Sequence, residues 1–213
     1  MMSLKRHMRK VLDLIDAHPR GGKRLVLGIS GPPGSGKSTL AETVVSELNR
    51  KAGGDGYAVL LPMDGYHLEN SILIEQKMLH RKGAPETFDV TGLVGLVKRL
   101  HQHSEPLYFP VFDRTLDTSL ANAGEIKERT EVVVIEGNYL LLQSPPWNAL
   151  QSLLDLTVSI APSLATLEQR LVKRWLHHGH SLEGALDRVH NNDLNNARLV
   201  LETSRPADLQ ISN

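Results

Sequence analysis

Gly31-Pro32-Pro33-Gly34-Ser35-Gly36-Lys37-Ser38 is the segment that most narrows what this chain can fold into. It fits G-x-x-x-x-G-K-[ST] in full. It follows the apolar run Leu25–Ser30 directly and precedes a helical pattern through Leu40, Val44, Val45 and Leu48. A buried strand, a glycine-rich turn and a helix N-terminus in that order turn backbone N–H groups inward around a phosphate, and the helix dipole adds its positive end. Lys37 is then expected to reach the β- and γ-phosphates, and the Ser38 hydroxyl to ligate Mg²⁺. The ATP-binding set expected from this stretch is Gly31, Pro32, Pro33, Gly34, Ser35, Gly36, Lys37, Ser38 and Thr39. The motif holds a nucleoside triphosphate without naming a reaction, because kinases, switch GTPases and motor ATPases all use it. The Asn-Lys-x-Asp guanine reader usual in GTPases does not occur in the chain.

Strands and helices alternate along the rest of the sequence. Residues 4–17 carry Leu4, Met8, Val11, Leu12 and Ile15 on one helical face, and the stretch from Pro19 to Gly22 ends that helix. Further strands are read at 57–63, 131–136, 156–160 and 207–211, and further helices at 70–82, 92–103, 163–178 and from 182 onward. Residues 107–126 alternate poorly and carry turn chemistry, which predicts an irregular or hairpin insertion. Strands apolar on both faces, alternating with helices, indicate a parallel sheet covered on both sides. The expectation is one domain over 1–213, with an N-terminal helix (3–18), an acceptor-side insertion (65–128) and a lid (170–190).

Composition closes off several functions. The 213 residues hold 24 Lys plus Arg against 24 Asp plus Glu, so the basic excess of a nucleic-acid binder is missing. The absence of cysteine excludes disulfides, thiol nucleophiles and Cys-ligated zinc. The start Met1-Met2-Ser3-Leu4-Lys5-Arg6-His7 lacks a signal-peptide apolar stretch. No apolar run approaches the roughly 20 residues that span a bilayer. A cytoplasmic protein without membrane or nucleic-acid partners, with a homodimer open, is the expectation.

Two strand ends carry carboxylates. Pro62-Met63-Asp64-Gly65-Tyr66-His67 ends the second strand, where ligands enter an open α/β sheet. Asp64 suits a base or positioning group for an attacking hydroxyl; its structural alternative is a turn or cap aspartate. Val132-Val133-Val134-Ile135-Glu136-Gly137 ends in Glu136, suited to hold Mg²⁺ through a water or to orient the acceptor, or else a strand-end carboxylate satisfied by backbone donors. Arg170 and Arg174, at i and i+4, emerge on one helical face. Such a pair can clamp the spread negative charge of a phosphoryl transition state.

In order, GPPGSGKS, MDGYHLEN, RKGAPETFD, PVFDR and VVVIEGNYLLL resemble the phosphoribulokinase/uridine kinase superfamily, which includes bacterial pantothenate kinase. The resemblance runs through nearly all of the chain after residue 20. It is strongest to a bacterial branch known as nucleoside/nucleotide kinase-like or fructose transport system kinase. It implies a three-layer P-loop NTPase fold with a five-stranded parallel sheet and a small lid, ATP as donor, Mg²⁺, and Asp64 at the family's catalytic base position. It further implies that Arg81 and Lys82 hold an anionic acceptor or screen phosphoryl charge, that His67, Asp113 and Arg114 touch the acceptor, and that Arg174 matches the phosphate-facing lid arginine better than Arg170. Each of these also has a plain surface reading. The reaction expected is transfer of the γ-phosphoryl group of ATP to an alcohol of a sugar, nucleoside or pantothenate-like acceptor, with Asp64, Lys37 and Arg174 as catalytic residues. The alternative is an NTPase hydrolysing ATP in a regulatory or chaperone-like role. Asn191, Asn192, Asp193, Asn195 and Asn196 either reach the active site or decorate a helix.

Overall fold

A computed structural model describes residues 2–19, 21–102 and 105–212. Arg20 and residue 103, at which two of the expected helix ends fall, lie outside them, as does Met1. Strands β1 (Leu25–Ser30), β2 (Ala58–Pro62), β5 (Val132–Gly137), β6 (Leu156–Ile160) and β7 (Leu209–Ile211) form one parallel sheet in the order β2-β5-β1-β6-β7. Leu107–Asp113 (β3) and Thr118–Ile126 (β4) pair antiparallel as a separate hairpin arm, so the poorly alternating stretch is a hairpin, with a register irregularity between Phe109 and Val111.

Alternation along the strands builds a layer on each face. Leu25, Leu27, Ile29, Val132 and Val134 face α1 (Met2–Ala17) and α2 (Lys37–Lys51), whose Val11, Ile15, Leu40 and Val44 are fully buried or nearly so. Val26, Val133 and Ile135 point the other way, onto α4 (Val90–Leu100) and the apolar turn Tyr139–Leu142. Each Val, Leu or Ile so buried contributes about 1.5–3 kcal/mol, so β1 and β5, both covered on both faces, hold the site firmly. At Gly28 a Cβ would lie 2.8 Å from Leu154 Cδ1, so a larger residue would have to displace the Leu154 side chain.

The helix expected over 70–82 is shorter. α3 (Asn70–Glu75) ends where Lys77 takes a left-handed φ of 56°. Met78 N–H bonds to Leu73 O at 2.7 Å and Lys77 N–H to Ile74 O at 3.0 Å, the pair of bonds that closes a helix C-terminus, here without the usual glycine. A 3₁₀ turn, Leu79–Arg81, follows. Near the C-terminus α5 (Leu164–His177) is N-capped by Ser163, whose Oγ accepts from Thr166 N–H at 3.2 Å. The helix expected from 182 divides into α6 (Leu182–Arg188), a π-helical turn (Val189–Asp193) and α7 (Leu194–Thr203). These elements share a small core of Leu167, Leu171, Val189, Leu194 and Ala197. Among the described residues, no helix is long and apolar enough to cross a membrane.

Candidate active site

The strands deliver their carboxyl ends to one cleft of about 590 Å³. The loop after β1 forms its floor. Gly34 and Gly36 hold φ of 78° and 91°, a backbone that side chains resist. Gly31 is fixed by crowding: a Cβ there would lie 2.7 Å from Ile160 O. Gly36 stands at the N-cap of α2 without a side-chain cap, so first-turn N–H groups of that helix remain for a ligand. Arg170 donates from Nη1 to the carbonyls of Gly34 and Ser35, each at 3.3 Å. Because the peptide unit is planar and trans, the Gly36 N–H points away from the Ser35 carbonyl and hence away from Arg170. Arg170 thus braces the loop from behind and does not line the cleft. A preorganised ring of amides and glycines with Lys37 beside it fits a polyphosphate. Pro33, Gly34, Gly36, Lys37, Ser38 and Thr39 line the cleft; Gly31, Pro32 and Ser35 are buried in the loop beneath them.

The Ser38 hydroxyl hydrogen-bonds the carboxylate of Glu136, which is 6% exposed. Burial pushes the Glu136 pKa above its ordinary value; Lys37 pulls it back, and Asp64 adds to the rise. A hydroxyl and a carboxylate side by side are hard oxygen donors, which would suit Mg²⁺ and not a softer metal.

Asp64 enters from the 3₁₀ turn Met63–Tyr66, directly after β2. Strand register pairs Pro62 with Glu136, which brings the turn alongside the end of β5. Gly65 is required there, since a Cβ would overlap the Pro110 carbonyl of the arm. Arg114, from the arm, donates from Nη2 to Asp64 Oδ2 at 3.0 Å. His67 stacks between Phe88 and Phe112, with ring centroids at 4.1 and 4.7 Å. Its Nδ1 lies 2.8 Å from the Asp64 carbonyl. That carbonyl only accepts, so Nδ1 carries the proton and Nε2 presents a lone pair. Burial lowers the His67 pKa and keeps the ring neutral, against the opposing charge of Asp64.

The far wall comes from α5, the end of α6, the π-helical turn and the start of α7. Arg174 and Trp175 line the cleft with Arg188, Asn192, Asp193 and Asn196. Burial first, then the like charge of Arg114, lower the Arg174 pKa; Asp193 and Asp64 oppose this. Trp175 Nε1 donates to Asp193 Oδ2 at 2.6 Å, and the Arg188 guanidinium lies over the same ring at 4.3 Å.

The structure therefore brings Lys37, Ser38, Asp64, His67, Arg114 and Arg174 to one cleft, with Glu136 buried at its edge. It does not bring Arg81 or Asp113 there. Arg81 pairs with Glu86 at 3.0 Å outside the cleft. Asp113 accepts from Thr115 and Leu116 N–H at 2.8 and 3.0 Å, capping the hairpin turn. Lys82 does line the cleft, but its three N–H donors meet Asn70 Oδ1 at 2.7 Å, Asp117 O at 2.8 Å and Asp117 Oδ1 at 3.0 Å. Within the asparagine cluster the result splits: Asn192, Asp193 and Asn196 face the cleft, while Asn191 bonds to Asp187 and Asn195 to the Asn191 carbonyl. Asn70, Phe112, Asp117, Asn138, Trp175 and Arg188 were not picked out from sequence as site residues. Asn138 alone had a readable signal, two positions past Glu136 on the same strand-end alternation.

Comparison with known proteins agrees with this geometry. The model of the phosphoribulokinase/uridine kinase family matches residues 26–213. A proposed fructose transport system kinase from Silicibacter sp. TM1040, a crystal structure, is 40% identical with a TM-score of 0.86, and 99% of each chain is covered. YggC of Escherichia coli is 32% identical over 204 residues, 95% of this chain and 82% of that protein. A proposed uridine kinase of Schizosaccharomyces pombe is 30% identical over 185 residues, 84% of this chain and 78% of that one. The chain belongs to the phosphoribulokinase/uridine kinase family and is, with it, an ATP-dependent kinase acting on an alcohol.

Proposed function

We propose that this kinase transfers the γ-phosphoryl group of ATP, in line, to a hydroxyl of a small hydroxylated molecule of the sugar, nucleoside or pantothenate-like kind. The observation that carries the reading is that Asp64, Lys37 and the phosphate loop line one cleft. A purely hydrolytic enzyme has no need of the part of the cleft beside Asp64 that His67, Phe88 and Phe112 line.

In this reading the loop amides and Lys37 hold the phosphates. Ser38 and Glu136 would hold Mg²⁺, which when bound screens phosphate charge. Asp64 receives the proton of the attacking hydroxyl through the carboxylate oxygen that Arg114 leaves free. His67 Nε2 accepts a hydrogen bond from the acceptor and helps to orient it. Arg174, desolvated and without a salt bridge among the described residues, turns to the transferring phosphoryl group, where its charge counts most in a water-poor site. The segment around residues 170–190 then acts as a lid. Arg81 is committed to Glu86 and Lys82 to the arm, which favours an acceptor recognised through its hydroxyls over one held by that cation pair.

A panel of uridine, D-fructose, D-glycerate and pantothenate, scored by acceptor-dependent ADP release, tests the proposal. One alcohol is expected to raise release well above the rate with water; equal rates with all of them would contradict it.

A further inference from the structure

Residues 82 and 83 form a fixed post between three walls of the cleft. The Gly83 carbonyl accepts from Tyr139 Oη at 2.6 Å, which ties the post to the turn after β5. The Lys82 carbonyl accepts from Asn192 Nδ2 at 3.4 Å, which ties it to the π-helical turn. The Lys82 side chain reaches the third wall, the arm. Its ammonium bonds to Asn70 Oδ1 and to both the carbonyl and the carboxylate of Asp117, and lies 5.0 Å from the centre of the Phe112 ring. Asp117 is the left-handed turn residue of the hairpin, with φ of 52°, so the contact grips the arm at its tip.

We propose that Lys82 is the positioning residue of the acceptor pocket: by fastening the arm tip it sets where Phe112 and Arg114 stand over the bound alcohol. This rests on the kinase reading above. The chemistry selects lysine. A compact ammonium offers three donors from one point, and here three acceptors converge on it at 2.7–3.0 Å. A planar guanidinium cannot meet that arrangement. The ammonium is also well shielded, its side chain 14% exposed, whereas the Asp117 carboxylate is 58% exposed and can return to water when the contact is lost. Losing Lys82 therefore loosens the arm tip, which keeps Asn70 Nδ2 on Asp117 Oδ2 at 2.9 Å and Thr118 Oγ1 on Glu69 at 2.6 Å, without stranding a buried charge. Since Phe112 stacks on His67 and Arg114 pairs with Asp64, a loosened arm misplaces both acceptor-side groups while the phosphate loop, on the other side of the cleft, stays as it is.

The test uses Lys82→Met, Asp117→Asn and the double variant, with whichever of uridine, D-fructose, D-glycerate and pantothenate gives the highest acceptor-dependent ADP release. Lys82→Met is expected to raise the KM of that alcohol roughly tenfold while leaving the KM of ATP within about twofold. Asp117→Asn, at an exposed position that tolerates the change, is expected to raise the alcohol's KM by about threefold and to add nothing to Lys82→Met. Amide exchange over residues 113–119, which needs no acceptor, is expected to quicken in both single variants. Additive effects on the alcohol's KM would mean that Lys82 touches the alcohol itself and would overturn the inference. Equal losses for ATP and alcohol, or unchanged exchange at the arm, would overturn it as well. A panel with no active alcohol would overturn the kinase reading instead, and the exchange measurement would still decide whether Lys82 fastens the arm.

Discussion

Arg114 reaches Asp64 across 50 positions of sequence, Nη2 to Oδ2 at 3.0 Å, and so ties the arm to the end of β2. The two side chains are 58% and 29% exposed, so the pair contributes at most about 1 kcal/mol to stability. Its consequence is orientation: one carboxylate oxygen is held and the other is left for the acceptor. Arg114→Ala is therefore expected to lower kcat/KM for the alcohol by roughly tenfold, a loss of about 1.4 kcal/mol, with a melting temperature close to wild type. Steady-state kinetics beside a thermal melt check this. A large drop in melting temperature with normal kinetics would reverse the assignment.

Asp64→Asn removes the proton acceptor but keeps the shape of the turn. Turnover is expected to fall by roughly 10² or more, the scale of a lost general base. Binding of an ATP analogue, followed by calorimetry, should be little changed. An equal loss of nucleotide affinity would make Asp64 a nucleotide or metal ligand.

Lys37→Ala is expected to abolish transfer and leave the fold intact, because the side chain lines the cleft and fills no part of the core. Circular dichroism and ADP release together decide it. An unfolded variant, or near-normal turnover, would count against the phosphate-loop assignment.

His67 supplies a pH signature. Burial draws its pKa below the ordinary 6.5, so as pH falls the unfolded chain takes up a proton before the folded chain does. The associated stability is complete above about pH 6.5, drains away as pH drops through the depressed folded value, and is then constant. His67→Gln should flatten the melting temperature between pH 7.5 and 5 relative to wild type. Parallel curves would show that His67 does not titrate across folding.

Much of the framework was readable. β1 and β6 fall where continuous apolar runs placed them, because a strand buried on both faces leaves little choice of register or bounds. The acceptor side was only half readable. Asp113 and Arg114 are adjacent, and which of them turns inward is decided by the hairpin turn, where Asp113 is taken up in capping Thr115 and Leu116. Arg81 and Lys82 pose the same problem: the left-handed break at Lys77 rotates the following turn, sending Arg81 to Glu86 and Lys82 inward. Arg188, the last residue of α6, carried no sequence signal. The choice among Asn191, Asn192, Asp193, Asn195 and Asn196 stayed open because a π-helical turn sets which of them face the cleft, and nothing local in Val189–Asp193 announces it.

The central claim is that the γ-phosphoryl group leaves ATP for an alcohol. The most direct test supplies ATP labelled on that group together with the active alcohol from the panel, and follows the label in a single turnover. The account predicts label on the alcohol with wild-type protein, and its loss with Asp64→Asn while labelled ATP remains bound. Label appearing only in inorganic phosphate, at the same rate with and without alcohol, would contradict it.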